Sequence, residues 1–335
     1  MIPFSVLDLC PIVEGGNAAQ AFRNALDLAQ HVEQWGYQRY WVAEHHSIRG
    51  VASAATSVVI AHVGAGTKRI RIGAGGIMLP NHPPIVIAEQ FGTLESLYPG
   101  RIDLALGRAP GSDQATSQAL RRPPTAGDDF PQDVGELLDW FAPEQPGQRV
   151  AAVPGAGLSI PIWILGSSTW GAQFAAINGF PYAFASHFAP QQMMQALDLY
   201  RKRFQPSQWL DKPYAALGVN IIAAPTDEEA NFLFSSRQQS TLAIRFGRRG
   251  LLQPPVADFE STLNPAERAV LAESRPGSFV GSPATLKAEL AKFIAMTGAD
   301  ELIIAAQIFD HTLRVRSYEL AAQVRDALQA ERKAA

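Results

Sequence analysis

An acid and two imidazoles directly follow an apolar run in the stretch YWVAEHHS, residues 40–47. Histidine gains and loses a proton near neutral pH, so this stretch could transfer protons, bind a metal ion or form only a hydrogen-bonded loop. A metal site is disfavoured, because neighbours on an extended chain face opposite ways and His45 and His46 therefore point poorly at one ion. The pattern favours proton transfer or hydrogen bonding by one imidazole. For the other imidazole and for Glu44, structural hydrogen bonding is an equal alternative.

Three glycines lie inside the apolar run RIGAGGIMLP, residues 71–80. Glycine weakens a strand and commonly marks a bulge or the close approach of another group. The spacing does not match G-x-G-x-x-G, and the glycines lie within a strand instead of opening a helix, so a dinucleotide clamp is not indicated. A flat ligand lying against bare backbone and a tight bend of the chain both stay open.

Donors suited to an anion occur in WILGSSTWG, residues 163–171. Gly166, Ser167 and Ser168 precede a helix whose free N–H groups and dipole suit a negative charge, although ordinary capping would explain one serine. Arg108, at the end of the preceding apolar run, adds a cation. We expect a phosphate-type site here and not at AAPTDEEA, residues 223–230, whose acids would repel a phosphate.

The elements that must position these groups are short apolar runs that alternate with longer segments of helical period. This alternation is typical of βα units, and eight units predict an α/β fold, a (β/α)8 TIM barrel. In such a barrel the loops at the C-terminal ends of the strands build the active site. We predict strands at 2–7, 40–43, 70–79, 102–106, 160–165, 182–185, 216–223 and 302–306.

Histidines cluster after the predicted strands. Five of the seven should share the C-terminal rim: His45, His46, His82, His187 and His311. We expect residues 1–335 to form one domain. Residues 245–278 lie between the seventh and eighth units and are too long for an ordinary connection, so we expect an inserted excursion over or near the barrel mouth.

Composition limits the classes of partner. The 335 residues include 28 Lys+Arg and 31 Asp+Glu, so nothing indicates nucleic acid or an anionic membrane as a partner. The single cysteine, Cys10, excludes an internal disulfide and a Cys-rich zinc site, and it favours a cytoplasmic protein. The first residues lack the basic segment of a signal peptide, and no apolar run reaches the roughly 18 residues of a membrane helix, so we expect Met1 to begin the folded domain.

Three stretches resemble the bacterial luciferase-like monooxygenases, in particular an uncharacterised bacterial branch. They are AEHHS at 43–47, the segment 73–113 that runs from GAGGIMLP to GRAPGSD, and LGSSTWGAQFAAINGFPYAFASHFAP at 165–190. The resemblance covers nearly the whole chain and implies a (β/α)8 barrel that uses FMN, with relatives that use the deazaflavin F420. Gly107 stands where luciferase has a cysteine, and residues 245–278 do not resemble luciferase's mobile loop, so light emission is not implied.

The resemblance also implies which residues form the site. His45 matches the family's catalytic imidazole beside the flavin, and the Gly75–Gly76 bond matches a non-proline cis peptide behind the flavin ring. No metal ligand is expected. The cofactor-binding residues implied by the resemblance are Gly75, Gly76, Arg108, Gly166, Ser167, Ser168, Trp170, Gly171 and Ser186.

These expectations combine into a flavin-dependent monooxygenase. It would use reduced FMN, supplied by a separate flavin reductase, and O2 to oxygenate a small organic substrate, and it would form a homodimer with no nucleic-acid or membrane partner. An F420-dependent oxidoreductase and a flavin-binding protein without turnover are the alternatives, with a metal hydrolase third. An aromatic rim would suit an apolar substrate, or would simply pack the barrel mouth: Trp41, Phe184, Phe188 and Phe309.

Overall fold

The computed structural model describes residues 2–109, 113–123, 125–248 and 250–334. Met1, which we expected to begin the folded domain, and residues 110–112 of the GRAPGSD motif lie outside this range. Within it, nine strands form one sheet with parallel pairing throughout. The strands are β1 (Phe4–Asp8), β2 (Arg39–Val42), β3 (Arg71–Met78), β4 (Ile102–Gly107), β5 (Ile162–Gly166), β6 (Tyr182–Phe184), β7 (Ala215–Ala223), β8 (Ser278–Gly281) and β9 (Glu301–Ala305).

Eight of these strands close into a barrel, which confirms the predicted (β/α)8 fold. β1 to β7 pair in order, and β9 pairs with both β7 and β1 to complete the ring. β8 was not predicted. It has four residues and pairs only with the second half of β7. Its apolar run is short and directly follows an Arg- and Pro-rich segment, so the sequence gave little indication of a strand.

Helices follow the strands and cover the outside of the barrel. Their starts and ends obey local rules: Asn17 caps α1 through a bond to the Gln20 N–H, and α10 ends at Gly298, whose φ is +59°. The helices are α1 (Ala18–Gln34), α2 (Thr56–Gly66), α3 (Pro84–Leu97), α4 (Gln114–Ala119), α5 (Phe130–Phe141), α6 (Thr169–Ile177), α7 (Met193–Arg203), α8 (Asp227–Arg245), α9 (Pro265–Ser274), α10 (Pro283–Thr297) and α11 (His311–Ala334).

Residues 245–278, predicted to be an inserted loop, contain regular structure. α9 lies within them and begins with a capping box between Asn264 and Glu267. Near the start of the segment, the N–H of Leu252 donates to the carbonyl of Ile12 at 2.9 Å, and the N–H of Glu14 donates to the carbonyl of Leu252 at 2.8 Å. These bonds attach the segment to the loop after β1, although the division of the chain into one domain with an insertion stays a prediction.

Side chains alternate between the two faces of the barrel wall. On β2, Tyr40 and Val42 pack outward under the helices, whereas Trp41 and, directly after the strand, Ala43 pack inward. Inside the barrel Trp41 meets Trp163 edge to face, with ring centroids 5.1 Å apart, among small alanines. The interior of the barrel is therefore a packed core that supports the site above it.

Paired charges close the N-terminal end of the barrel. Arg39 donates through Nε to Glu301 and through Nη1 to Asp103, each at 2.7 Å, and Arg71 donates to the other oxygen of Asp103 at 2.7 Å. Ser5 also donates to Glu301. This network is buried, and each of its charges has a partner of opposite sign.

Candidate active site

A cavity of about 960 Å³ opens at the C-terminal ends of the barrel strands. That volume suits a cofactor or small ligand, since such sites span about 300–1,000 Å³. Residues 250–253 of the inserted segment lie in its wall together with residues that follow the barrel strands. Among the latter are Leu9, His45, Arg108, Ser167, His187 and Gln307, and the strands themselves contribute Met78 and Asn220.

The two adjacent histidines face different surroundings, as the extended chain predicted. His45 lines the cavity. His46 turns away and lies 2.7 Å from Glu44, with its Nε2 against the carboxylate. The chain bends sharply after this pair, since Ser47 has a φ of +58°.

Glu44 is the centre of a hydrogen-bonded group, which agrees with the structural alternative given above for Glu44 and one imidazole. One oxygen lies 2.7 Å from Nε2 of His46 and 2.9 Å from Nε2 of His82, and the other accepts from the N–H of Met78 at 3.0 Å. Burial would raise the pKa of Glu44, but the hydrogen bonds from His46 and His82 outweigh it and lower the pKa to about 2. Because both histidines follow barrel strands, the sequence predicted that they lie at the same end of the barrel. It did not predict that both contact Glu44.

The spacing of Glu44, His46 and His82 would also suit a metal ion, because their ligand atoms lie within 4.8 Å of one another. Both oxygens of Glu44 are already occupied by donors, including an amide hydrogen of Asn81 at 3.2 Å. We therefore interpret the group as a hydrogen-bonded support that joins the ends of β2 and β3 and holds the backbone beside His45.

The glycine run contains the expected bulge and the expected cis bond between Gly75 and Gly76. Gly75 lines the cavity and Gly76 does not. A Cβ on Gly75 would lie 2.8 Å from the ring of Trp41, and one on Gly76 would lie 2.5 Å from the carbonyl oxygen of Ala105. Close packing therefore requires both glycines, which supports the tight-bend alternative, while a ligand against Gly75 stays a prediction.

The predicted anion site lies along one side of the cavity. Arg108 stacks on Trp170, with its guanidinium carbon 4.2 Å from the ring centroid. Ser168 is the N-cap residue of α6, yet its side chain makes no capping bond. The first N–H groups of a helix lack partners within the helix. The Ser168 hydroxyl and these N–H groups are therefore donors suited to binding an anion. Six of the expected residues line this side: Arg108, Gly166, Ser167, Ser168, Trp170 and Gly171.

Three buried polar atoms in the cavity wall have no hydrogen-bond partner among the described residues: Nδ1 of His187, Nε of Arg237 and Oε1 of Gln307. Burial, followed by the nearby positive charge of Arg237 and by His45, lowers the pKa of His187 to about 3. His187 is therefore neutral at physiological pH. Because buried polar groups are almost always paired, these atoms indicate where a ligand would form hydrogen bonds.

Of the ten expected site residues, eight line the cavity and two do not. Gly76 packs against β4, and the hydroxyl of Ser186 donates to the carbonyl of Gly218 at 2.6 Å. Arg237 and Gln307 were missed. Gln307 follows β9, so its position at the C-terminal end of a strand could have indicated a site residue. Arg237 lies in the middle of a helix, and its position in the sequence gave no such indication.

The aromatic rim was largely wrong. Trp41 and Phe184 are buried in the core, at 1% and 0% exposed, because the alternation of each strand turns them into packed layers. Phe309 does not line the cavity. Phe188 does line it and is 63% exposed.

In the described part of the chain, no helix is both long and apolar enough to cross a membrane.

Comparison with known proteins identifies relatives along the whole chain. A luciferase-like monooxygenase of Escherichia coli (strain K12) is 52% identical over 328 residues, 98% of each chain. An N-acetyl-S-alkylcysteine monooxygenase of Bacillus subtilis (strain 168) is 30% identical over 332 residues, 96% of this chain and 97% of that one. The crystal structure of apo-MsnO8 superimposes with a TM-score of 0.89 at 33% identity, covering 97% of this chain and 99% of that one.

More distant structures share the fold. The oxygenating constituent of 3,6-diketocamphane monooxygenase of Pseudomonas putida, in complex with FMN, gives a TM-score of 0.72 at 18% identity, and the match covers 96% of this chain and 97% of that one. An F420-dependent secondary alcohol dehydrogenase gives 0.71 at 14% identity and covers 98% and 99%. The sequence profile described as luciferase-like monooxygenase matches residues 2–309. This chain thus belongs to the family of luciferase-like monooxygenases.

Proposed function

We propose that this protein is a monooxygenase that uses reduced FMN and O2 to oxygenate a small organic substrate. One observation carries the proposal: a single cavity holds an anion-binding side, formed by Arg108 and Ser168, together with His45. A phosphate-bearing flavin needs both an anchor for its phosphate and polar groups beside its ring. The family supports oxygenase chemistry, and the FMN complex of a protein with the same fold favours FMN.

The residues of the cavity fit FMN. Arg108 and the hydroxyls of Ser167 and Ser168 would bind the phosphate, because a guanidinium and helix N-terminal donors suit an anion. The unpaired atoms of His187 and Gln307 would bond to the polar edge of the ring. FMN in its reduced form supplies the electrons with which O2 is activated.

The protein contributes proton handling and the exclusion of water. His45 would donate a hydrogen bond or a proton to the reacting oxygen, a role that contributes about 10²–10⁴-fold to rate. Glu44 positions the adjacent backbone through its bonds to the end of β3. Leu9, Met78 and Leu251 supply apolar wall that would limit access of water to the reacting atoms.

The decisive test is product formation under ¹⁸O2. The protein would receive FMN, NADH and a separate flavin reductase, and a panel of thioethers, ketones and aldehydes would be screened by mass spectrometry for one added ¹⁸O atom. We expect His45→Ala to lower product at least 100-fold, while His62→Ala, at an exposed histidine of α2, leaves it unchanged. Full activity of His45→Ala would refute the catalytic role.

F420 is the second candidate cofactor, because a protein of the same fold depends on it and it also carries phosphate. Titration of the pure protein with FMN and F420 separates the two, since only the cofactor in use should bind tightly. FMN bound tightly in its oxidised form, with no oxygen-dependent product, would favour a flavin-binding protein without turnover.

The proposal includes partners. All nine described strands belong to one sheet, so the described residues hold no second sheet domain for a nicotinamide cofactor. We therefore assign delivery of reduced flavin to a separate reductase. We also assign the protein to the cytoplasm, because a chain with a single cysteine forms no internal disulfide and suits a reducing compartment. The homodimer is a further part of the proposal, and light scattering of the purified protein would give its mass directly.

A further inference from the structure

Arg237 is a cation in the wall of the cavity. It lies on α8, the helix that buries Leu233 and Leu242 against its neighbours, and its side chain lines the cavity. Its Nη1 donates to the hydroxyl of Thr241 at 2.8 Å. Its Nε is withdrawn from solvent and has no acceptor among the described residues.

No carboxylate of the described residues lies within ion-pair distance of this guanidinium. Arg39 and Arg314, in contrast, are buried beside Glu301 and Asp8. Burial lowers the pKa of Arg237 to about 10, and no acid opposes that shift. A half-buried charge whose Nε is withdrawn from solvent is costly without a partner, so the missing negative charge is expected from a bound molecule.

This cation is separate from the proposed phosphate side. Arg108 and Ser168 follow β4 and β5, whereas α8 follows β7. Arg237 is instead a neighbour of His187 in the loop after β6, and the charge of Arg237 contributes to the lowered pKa of His187. A flavin anchored at β4 and β5 would leave Arg237 available for a second ligand.

The wall beyond Arg237 includes apolar side chains beside polar ones such as Ser240 and Arg248. Ile244 lies seven residues further along α8, on the same face, and lines the cavity together with Leu251 of the inserted segment. Ile244 is 40% exposed, so this part of the wall runs from the half-buried guanidinium toward the solvent. A molecule with a negative head and an apolar chain would match this order.

Building on the proposed function, we infer that Arg237 binds a carboxylate of the organic substrate, whose apolar part extends along Ile244 toward the cavity mouth. The guanidinium would bind the carboxylate with paired hydrogen bonds. Arg237 is therefore a specificity-determining residue that selects acids over neutral molecules of the same shape.

The test compares straight-chain carboxylates, from acetate to octanoate, with the primary amides of equal length. Calorimetry would measure their binding to the full-length protein, with and without oxidised FMN. We expect at least one carboxylate to bind about tenfold more tightly than its amide, which corresponds to one charge-assisted hydrogen bond. This preference should vanish in Arg237→Met and persist in part in Arg237→Lys, which keeps the charge.

Melting temperature separates this role from a structural one. If Arg237 stabilised the fold, Arg237→Met would lower the melting temperature. Removal of an uncompensated, half-buried charge should instead leave the melting temperature unchanged or raise it by about 2–4 °C. A clear fall in the melting temperature would overturn the inference.

The remaining outcomes are also decisive. Equal binding of acids and amides, or no carboxylate bound at millimolar concentration, would overturn the inference. Loss of FMN affinity in Arg237→Met, with the preference for acids intact, would assign the charge to the cofactor and overturn the substrate role. If the wild type fails to bind reduced FMN without air, the proposed cofactor is wrong, yet the measurements without FMN still test Arg237.

Discussion

At the N-terminal end of the barrel, Arg39 lies between Glu301 and Asp103, and every charge of that network is neutralised by another protein side chain. At the C-terminal end, Arg237 has no acidic partner among the described residues, and buried atoms of His187 and Gln307 lack hydrogen bonds. Both ends of the same eight-stranded barrel place polar atoms out of water. At the C-terminal end Glu44 and Asp8 have partners within the chain, whereas Arg237 has no acid beside it in the part of the chain that the structure describes.

The difference separates stability from function. In barrels of this kind the N-terminal face serves stability and the C-terminal face carries the chemistry. A network that is complete in itself can only hold the strands together. Unpaired groups instead cost stability until a ligand completes them, and proteins tolerate that cost at functional sites. Substitutions at the two ends should therefore have opposite consequences.

The largest effect is expected from Arg39→Met. This change leaves Glu301 and Asp103 buried without their shared cation, so the free energy of unfolding should fall by roughly 3–5 kcal/mol. Urea denaturation would measure the loss, with Arg23→Met, at an exposed arginine of α1, as the control. A loss below 1 kcal/mol would mean that the N-terminal network does not stabilise the barrel.

Glu44→Gln should change stability in acid. The folded pKa of Glu44 is about 2, below its ordinary value of 4.5, so its charged form stabilises the fold above pH 4.5. That contribution, about 3 kcal/mol, is lost as the pH falls from 4.5 to 2. The unfolding free energy of the wild type should therefore fall more steeply through this window than that of the variant. Parallel curves would contradict the prediction, and Glu144→Gln, at an exposed position, is the control.

The smallest effect is expected from Arg108→Met at the functional end. Arg108 is exposed, so its loss should leave the melting temperature unchanged. FMN affinity should fall about tenfold, since one charged hydrogen bond to the phosphate is removed. Fluorescence titration would measure this change beside Arg203→Met, an exposed arginine of α7. Unchanged affinity would exclude Arg108 from the phosphate site.

The positions of most strands, and of the residues that follow them at the C-terminal end of the barrel, could be predicted from the sequence. Parallel strands that are buried on both faces appear as continuous apolar runs, and the rim rule then located His45, Arg108 and the Ser167–Ser168 pair. β8 was missed because four residues give too short a signal. Ser186 was assigned from resemblance alone, and its hydroxyl instead bonds to β7.

Arg237 shows why the rest could not be predicted. Its helix spacing indicates which side of α8 it occupies, but not that this side faces the cavity without an acid nearby. The same limit applies to Glu44, because its partners His46 and His82 come from different loops. An unpaired charge is a property of the whole packed structure and leaves no local pattern in the sequence.

The most direct test of the functional end is anaerobic titration of the pure protein with reduced FMN and, separately, with reduced F420. Equilibrium dialysis followed by absorbance would give the stoichiometry and the affinity. We predict one reduced FMN per chain, with binding weakened about tenfold in Arg108→Met and no comparable binding of F420. Tight binding of F420 alone, or binding of neither cofactor, would contradict the assignment of this cavity to FMN.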